Sequence, residues 1–229
     1  MPEQLRIDIN DYQSVTSNVY AAKPKGRLGV TLILGHGAGA GQSSGFMVSF
    51  ATELALRGID AVTFNFFYSE HGRGAPDPND KLEACYRAVI EGVRNHKKLA
   101  RNKVAIGGKS MGGRIASQVA AAGAEDIAAL VFLGYPLHPP GKPENARSKH
   151  LPSIKSPMLF VQGSRDAFGT AEELRQVVKK LSSATLYVVE GGDHSLKVPK
   201  SSGKTQDQVY KEVQDEIARW IKEVLSAEY

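Results

Sequence analysis

A mostly parallel β-sheet covered by helices on both faces, in a single domain over residues 1–229, is the fold class this sequence predicts. Two observations carry the prediction. Short apolar runs alternate with helical stretches almost to the C-terminus, the pattern of repeated strand–helix units. The residues that could do chemistry stand just after those runs, in Gly-rich turns, where ligands bind in such sheets. At 229 residues the chain is long enough for one sizeable core.

The elements follow in order. Residues 5–9 and 17–22 open as a strand pair, and 29–34 is a buried apolar strand. Residues 46–56 read as a helix that ends near Gly58, and 61–66 as the next strand. Over 80–99 the stripe Leu82, Cys85, Tyr86, Val89 and Val93 has helical spacing. A strand at 103–107 runs into a helix at 111–122, and 128–133, 158–162 and 185–189 are three further strands. Thr170-Ala-Glu-Glu173 is a capping box for a helix through residue 181. The last helix, about 205–225, sets Val209, Val213, Ile217, Ile221 and Val224 on one face. Residues 137–156, with Pro139, Pro140, Pro143 and Pro152, have little periodicity. They are placed to form a short lid, too small for a cap domain, so an open site is expected.

Composition narrows the partners. Apolar content of 41% and 23% charged residues are ordinary for a soluble globular chain, and no apolar run approaches a membrane span. The opening residues lack the apolar core of a signal peptide, so a cytoplasmic location without membrane attachment is the expectation. The single cysteine, Cys85, excludes an internal disulfide and lies on a packing stripe. The net charge is +5, with Arg94, His96, Lys97, Lys98, Arg101 and Lys103 as the main basic cluster. These cations stand at a helix end, where they complement the macrodipole. Without an aromatic platform or a nucleic-acid motif, no nucleic-acid partner is expected. Attraction to an anionic substrate stays open, as do monomer and homodimer.

The densest motif is Gly108-Lys109-Ser110-Met111-Gly112, between a short strand and an alanine-rich helix. It has the G-x-S-x-G form of a nucleophile elbow, whose serine sits on a strained turn with its hydroxyl exposed. Gly108 and Gly112 provide the space that the turn requires. The backbone N–H of Met111, at the helix start, can point at a developing oxyanion. The bland alternative is a Gly-rich turn with an incidental serine. Lys109 reads as a solvated elbow residue.

Three further turns supply candidate partners. Gly35-His36-Gly37-Ala38-Gly39-Ala40-Gly41 follows a strand and can bring backbone N–H groups close to an anion. Ala38 is the expected second oxyanion donor and Gly39 the next choice. The loop also fits a dinucleotide fingerprint, but the next strand offers Asn65 where an acid is wanted. Asp166 ends a strand in Gln162-Gly163-Ser164-Arg165-Asp166, and His194 ends another in Gly191-Gly192-Asp193-His194. Alone, Asp166 could be a helix cap and His194 a loop histidine. Their places at strand tips favour an acid and a base serving Ser110, with Asp166 preferred to Asp193, because adjacent residues on a turn diverge. His36 reads as a loop brace; His71, His138 and His150 are candidates for the site rim. No histidine pair has zinc-ligand spacing. Phe67, Tyr68 and Phe168 could line an apolar substrate pocket, or simply pack.

With these motifs the chain resembles the α/β-hydrolase superfamily. Gly35-His-Gly-Ala-Gly-Ala40, Gly108-Lys-Ser-Met-Gly-Gly-Arg114, Leu133-Gly-Tyr-Pro-Leu-His-Pro-Pro-Gly141, Val161-Gln-Gly-Ser-Arg-Asp-Ala-Phe-Gly169 and Gly191-Gly-Asp-His194 are similar to one subgroup. It comprises small bacterial hydrolase-like proteins related to the testis-expressed hydrolase-like protein and to subunit 3 of the NSL complex. More broadly the chain is similar to dienelactone hydrolases and carboxylesterases; the former use cysteine where this chain has Ser110. The order Ser110, Asp166, His194 matches that of the fold's triad. The resemblance implies an acyl-transfer enzyme for small esters, with an acyl-enzyme on Ser110 and no metal or organic cofactor. Two alternatives accompany it: a hydrolase-fold interaction module, and a triad hydrolase of lactones, thioesters or carbon–carbon bonds.

Overall fold

The computed structural model describes residues 2–123 and 126–227. Its strands are β1 (Glu3–Asn10), β2 (Gln13–Tyr20), β3 (Val30–Gly35), β4 (Asp60–Phe64), β5 (Lys103–Lys109), β6 (Ala129–Leu133), β7 (Met158–Gly163) and β8 (Ala184–Val189). Its helices are α1 (Gly45–Leu56), α2 (Phe67–Glu70), α3 (Asn79–Arg94), α4 (Met111–Ala121), α5 (Ala171–Val178) and α6 (Gln206–Ser226). The strands form one sheet in the order β1-β2-β4-β3-β5-β6-β7-β8. β1–β2 and β2–β4 are antiparallel, and the remaining neighbours are parallel. The central strands β3, β4, β6 and β7 are buried along their whole length. Helices cover both of their faces, so the strands read as continuous apolar runs rather than alternating ones.

Two core layers flank the sheet. One holds Phe50 and Leu54 of α1 against Val213, Ile217 and Trp220 of α6. The other holds Tyr86 and Val89 of α3 with Ile115 and Val119 of α4. Strand order reverses at β3, which has β4 on one side and β5 on the other. The tips of β3 and β5 therefore adjoin, with Gly35 opposite Gly108. The chain leaves β3 towards α1 and β5 towards α4, on opposite faces. That divergence opens the crevice in which doubly wound sheets bind ligands.

Local departures from the sequence reading have clear causes. The helix expected over 80–99 stops at Arg94. His96 then accepts from both Leu99 and Ala100 in a tight turn. Leu99 is still buried, so the apolar period outlasts the helix. The strand expected through residue 66 ends at Phe64. Asn65 leaves the ladder: its carbonyl arm accepts from Gln42 N at 2.9 Å and its amide donates to Glu70 at 2.9 Å. The short α2 follows directly. The capping box forms, Thr170 accepting from Glu173 N and Glu173 accepting from Thr170 N, but α5 stops at Val178. Thr205 and Gln208 make a second box on α6. Residues 137–156 are irregular apart from one 3-10 turn at Leu151–Ser153.

Candidate active site

Ser110 joins β5 to α4 at φ 50°, ψ −115°. A non-glycine residue in that region is strained, and the surroundings must hold it there. They do so by backbone contact. A Cβ on Gly108 would lie 2.2 Å from the Gly35 carbonyl oxygen, and one on Gly112 would lie 2.1 Å from the same atom. The glycines thus let the start of α4 close onto β3. Tyr86 secures the junction from below: its hydroxyl lies 2.8 Å from the Ile33 carbonyl and 2.7 Å from that of Gly107, and accepts from Gly107 N at 3.0 Å. The sequence offered Tyr86 only as part of a packing stripe.

The turns after β7 and β8 meet above Ser110. His194 Nε2 is 2.8 Å from Ser110 Oγ, and its Nδ1 is 2.8 Å from Asp166 Oδ2. Asp166 is 1% exposed and accepts from Gln162 Nε2 at 3.0 Å and Phe168 N at 2.8 Å. An ionised carboxylate so placed fixes the Nδ1–H tautomer and leaves Nε2 as an acceptor towards the serine. Asp193 has a different task. Its carboxylate accepts from Ser195 N and Lys197 N and shapes the turn that carries His194. The Phe168 ring stacks on that of His194, with centroids 4.2 Å apart.

Two side chains brace this array without having announced themselves as site residues. Gln162 is fully buried. It accepts from Tyr135 N and donates to Asp166 and the Gly169 carbonyl, tying three turns together. Its signal was an amide at the tip of an otherwise apolar strand. Lys109 is not the solvated residue expected. Its ammonium donates to the His194 carbonyl at 2.5 Å, and burial pushes its pKa down to about 8.

The loop after β3 makes the remaining wall. His36 is buried and braces the loop: Nδ1 donates to the Gly37 carbonyl at 2.8 Å and Nε2 accepts from Phe66 N at 3.2 Å. Burial lowers its pKa, so it stays neutral. Ala40 N closes a turn onto Gly37, with Gly39 at φ +70°. Ala38 is exposed at the turn and borders the same cavity as Ser110 and Met111. Met111 is the first residue of α4, so its N–H has no carbonyl of the helix to bond.

The cavity has a volume of about 730 Å³. Over the α1–α6 face its wall is apolar, with Phe46, Met47 and Tyr210; over the α3–α4 face it carries Arg114 and Arg147. Of the four residues proposed for substrate binding, Phe168 lines this cavity and Gly39, Phe67 and Tyr68 do not. Tyr68 is buried, edge-on to His36 and stacked on Phe66. Phe67 packs on the core with His71 against its ring. Gly39 turns its open side to solvent. The three rim candidates also stand off: His71 is at Phe67, His138 bonds Pro139 and Glu173, and His150 bonds Ser117 at 2.7 Å. Cys85 is buried and its thiol is pushed up to about 12 by burial, which leaves it unreactive. Among the described residues no group of three or more His, Cys, Asp or Glu is placed to hold a metal, and no helix is long and apolar enough to cross a membrane.

Fold and turns together define a known class. Residues 29–222 match the model of the alpha/beta hydrolase domain family, and the chain belongs to that family. Solved structures share the fold over most of the chain. An alpha-beta serine hydrolase homologue from Coxiella burnetii is 21% identical, with TM-score 0.73, covering 95% of this chain and 96% of its own. A serine hydrolase without lid from Xanthomonas campestris is 21% identical, with TM-score 0.72, covering 96% and 94%. A dienelactone hydrolase from Anabaena variabilis is 17% identical, with TM-score 0.74, covering 96% of both. At these identities the likeness is one of fold.

Proposed function

We propose that this hydrolase-family chain is a serine carboxylesterase for small or short-acyl esters. The observation that carries the reading is the unbroken chain of hydrogen bonds from Asp166 through His194 to Ser110 Oγ. His194 Nε2 takes the hydroxyl proton as Oγ attacks the ester carbonyl, and Asp166 stabilises the imidazolium. The N–H groups of Met111 and Ala38 receive the oxyanion; loss of one such donor typically costs about 10²–10³ in rate. His194 then protonates the leaving alcohol, and a water activated by the same nitrogen releases the acyl group from Ser110. No step calls on a metal or organic cofactor, and the partner is a small ester.

The apolar wall of Phe46, Met47 and Tyr210 suits a short acyl or alcohol chain. The motifs quoted above are similar to those of the small bacterial hydrolase-like subgroup, and Ser110 as nucleophile favours esters over the lactone chemistry of dienelactone hydrolases. An interaction module would need none of these hydrogen bonds. Methyl and 4-nitrophenyl esters of rising acyl length, assayed with wild type and Ser110→Ala, test the reading. Turnover that falls with acyl length and disappears in the variant is expected. Equal turnover by both proteins, or none by either, contradicts it.

A further inference from the structure

The cavity's basic wall is not needed for acyl transfer. Arg114 lies one helical turn beyond Ser110, its N–H bonding the Ser110 carbonyl at 3.0 Å. Four residues of helix rise about 6 Å along the axis, which sets Arg114 one turn from the N-cap Ser110. The Arg114 guanidinium donates to two neutral amides, Gln118 Oε1 and Asn79 Oδ1, each at 3.2 Å. Arg147 comes to the same wall from the irregular segment, which holds it by backbone: Arg147 N donates to the Leu137 carbonyl, and its own carbonyl accepts from Tyr135 Oη.

Among the described residues no carboxylate pairs with either guanidinium. The nearby acids have other cationic partners: Asp77, which also lines the cavity, pairs with Arg73 at 2.8 Å, and Glu83 pairs with Arg87 at 3.5 Å. Burial and the charge of Arg147 both disfavour the Arg114 cation. Glu83 acts on Arg114 in the opposite sense but forms no ion pair with it, and two adjacent cations with no paired carboxylate cost free energy. A bound carboxylate would remove that cost and meet the planar donor forks bidentately.

We propose that Arg114 and Arg147 form an anion subsite, and that the substrate is an ester carrying a free carboxylate a few bonds from the scissile carbonyl. The apolar wall then takes the uncharged portion, and Ser110 lies between the two. This inference rests on the esterase reading for its reaction, but the subsite can be tested without turnover.

Two matched substrate pairs place the charge on the acyl side (monomethyl glutarate against methyl pentanoate) or on the alcohol side (4-acetoxybenzoate against 4-acetoxybenzamide). Rates are followed by pH-stat at low salt. In at least one pair kcat/KM should favour the anion by about tenfold or more. Arg147→Gln, on the irregular segment, should bring that ratio towards one, and Arg114→Gln should do the same. Arg114→Lys, which keeps a charge but not the fork, should recover only part of it.

Calorimetric binding of glutarate monoanilide to Ser110→Ala supplies the arm without chemistry. Binding that weakens about tenfold in the added Arg147→Gln change, and also weakens with salt, supports the subsite even if no ester is turned over. Such a result without turnover would count against the esterase reading alone. Neutral esters hydrolysed as well as anionic ones in both pairs, with a ratio unmoved by Arg147→Gln, would overturn the anion subsite. Absence of salt-sensitive anilide binding would do so as well.

Discussion

Two segments border the same cavity and are held by different physics. The elbow, residues 107–112, is fixed by backbone against backbone. The Gly35 carbonyl fills the space that a side chain at 108 or 112 would occupy, and no repacking can relieve that. Residues 135–156 are fixed by separate polar ties instead: Tyr135 to Gln162, His138 N to the Phe168 carbonyl, and Ser117 to His150. Each tie can be lost singly. The position of Ser110 is thus all-or-none, while the segment that carries Arg147 can change course by degrees. Reaction type should accordingly be harder to alter than substrate preference.

The contrast is broken most severely at the elbow. Gly112→Ala puts a methyl 2.1 Å from the Gly35 carbonyl oxygen, and strain of this kind costs about 1–3 kcal/mol or more. Thermal unfolding should fall by roughly 5–10 °C, and turnover should be lost in the protein that still folds. A variant with unchanged Tm and activity would remove the steric account. Next comes Gln162→Leu, which strands Tyr135 N and the Gly169 carbonyl and deprives Asp166 of a donor. About 1–3 kcal/mol of stability should go, as measured by urea unfolding.

Lys109→Met is a milder change that sharpens the comparison through pH. The folded chain releases the Lys109 proton at about 8, whereas the unfolded chain holds it to an ordinary 10.5. Between those values the unfolded state binds more protons, so wild-type stability rises with pH relative to the variant. Below about pH 8 both states are protonated and the difference is constant. Urea unfolding of both proteins at pH 7.5 and 9.5 checks this, and a difference that does not change between them contradicts it. The smallest effect is expected at Ser117→Ala, which cuts one tie of the irregular segment at 2.7 Å. About 1 kcal/mol should be lost, with faster amide exchange confined to residues near His150.

What could be read from the sequence follows the same division. Ser110, Asp166 and His194 could be singled out because a strand tip, a tight turn and a polar side chain leave local signatures, and the three lie within hydrogen-bond distance of one another in turn. The alternation of elements gave the sheet, and the Thr170 box marked its helix. Long-range placement left no such trace. The burial of Lys109 depends on where the β8 turn returns, and the meeting of Arg114 with Arg147 depends on the course of a segment without periodicity. Phe67 and Tyr68 pointed to a pocket because aromatic residues after a strand look alike, whether they line a cavity or fill a core. The helix expected to residue 99 ran long because Leu99 keeps its apolar contact from a turn.

The central claim is that His194 activates Ser110. Intact-mass analysis after treatment with a small fluorophosphonate, on wild type, Ser110→Ala and His194→Ala, tests it most directly. A single adduct on wild type is predicted, absent in Ser110→Ala and slowed by about 10³-fold or more in His194→Ala. No adduct on folded wild type, or equal labelling without His194, would contradict it.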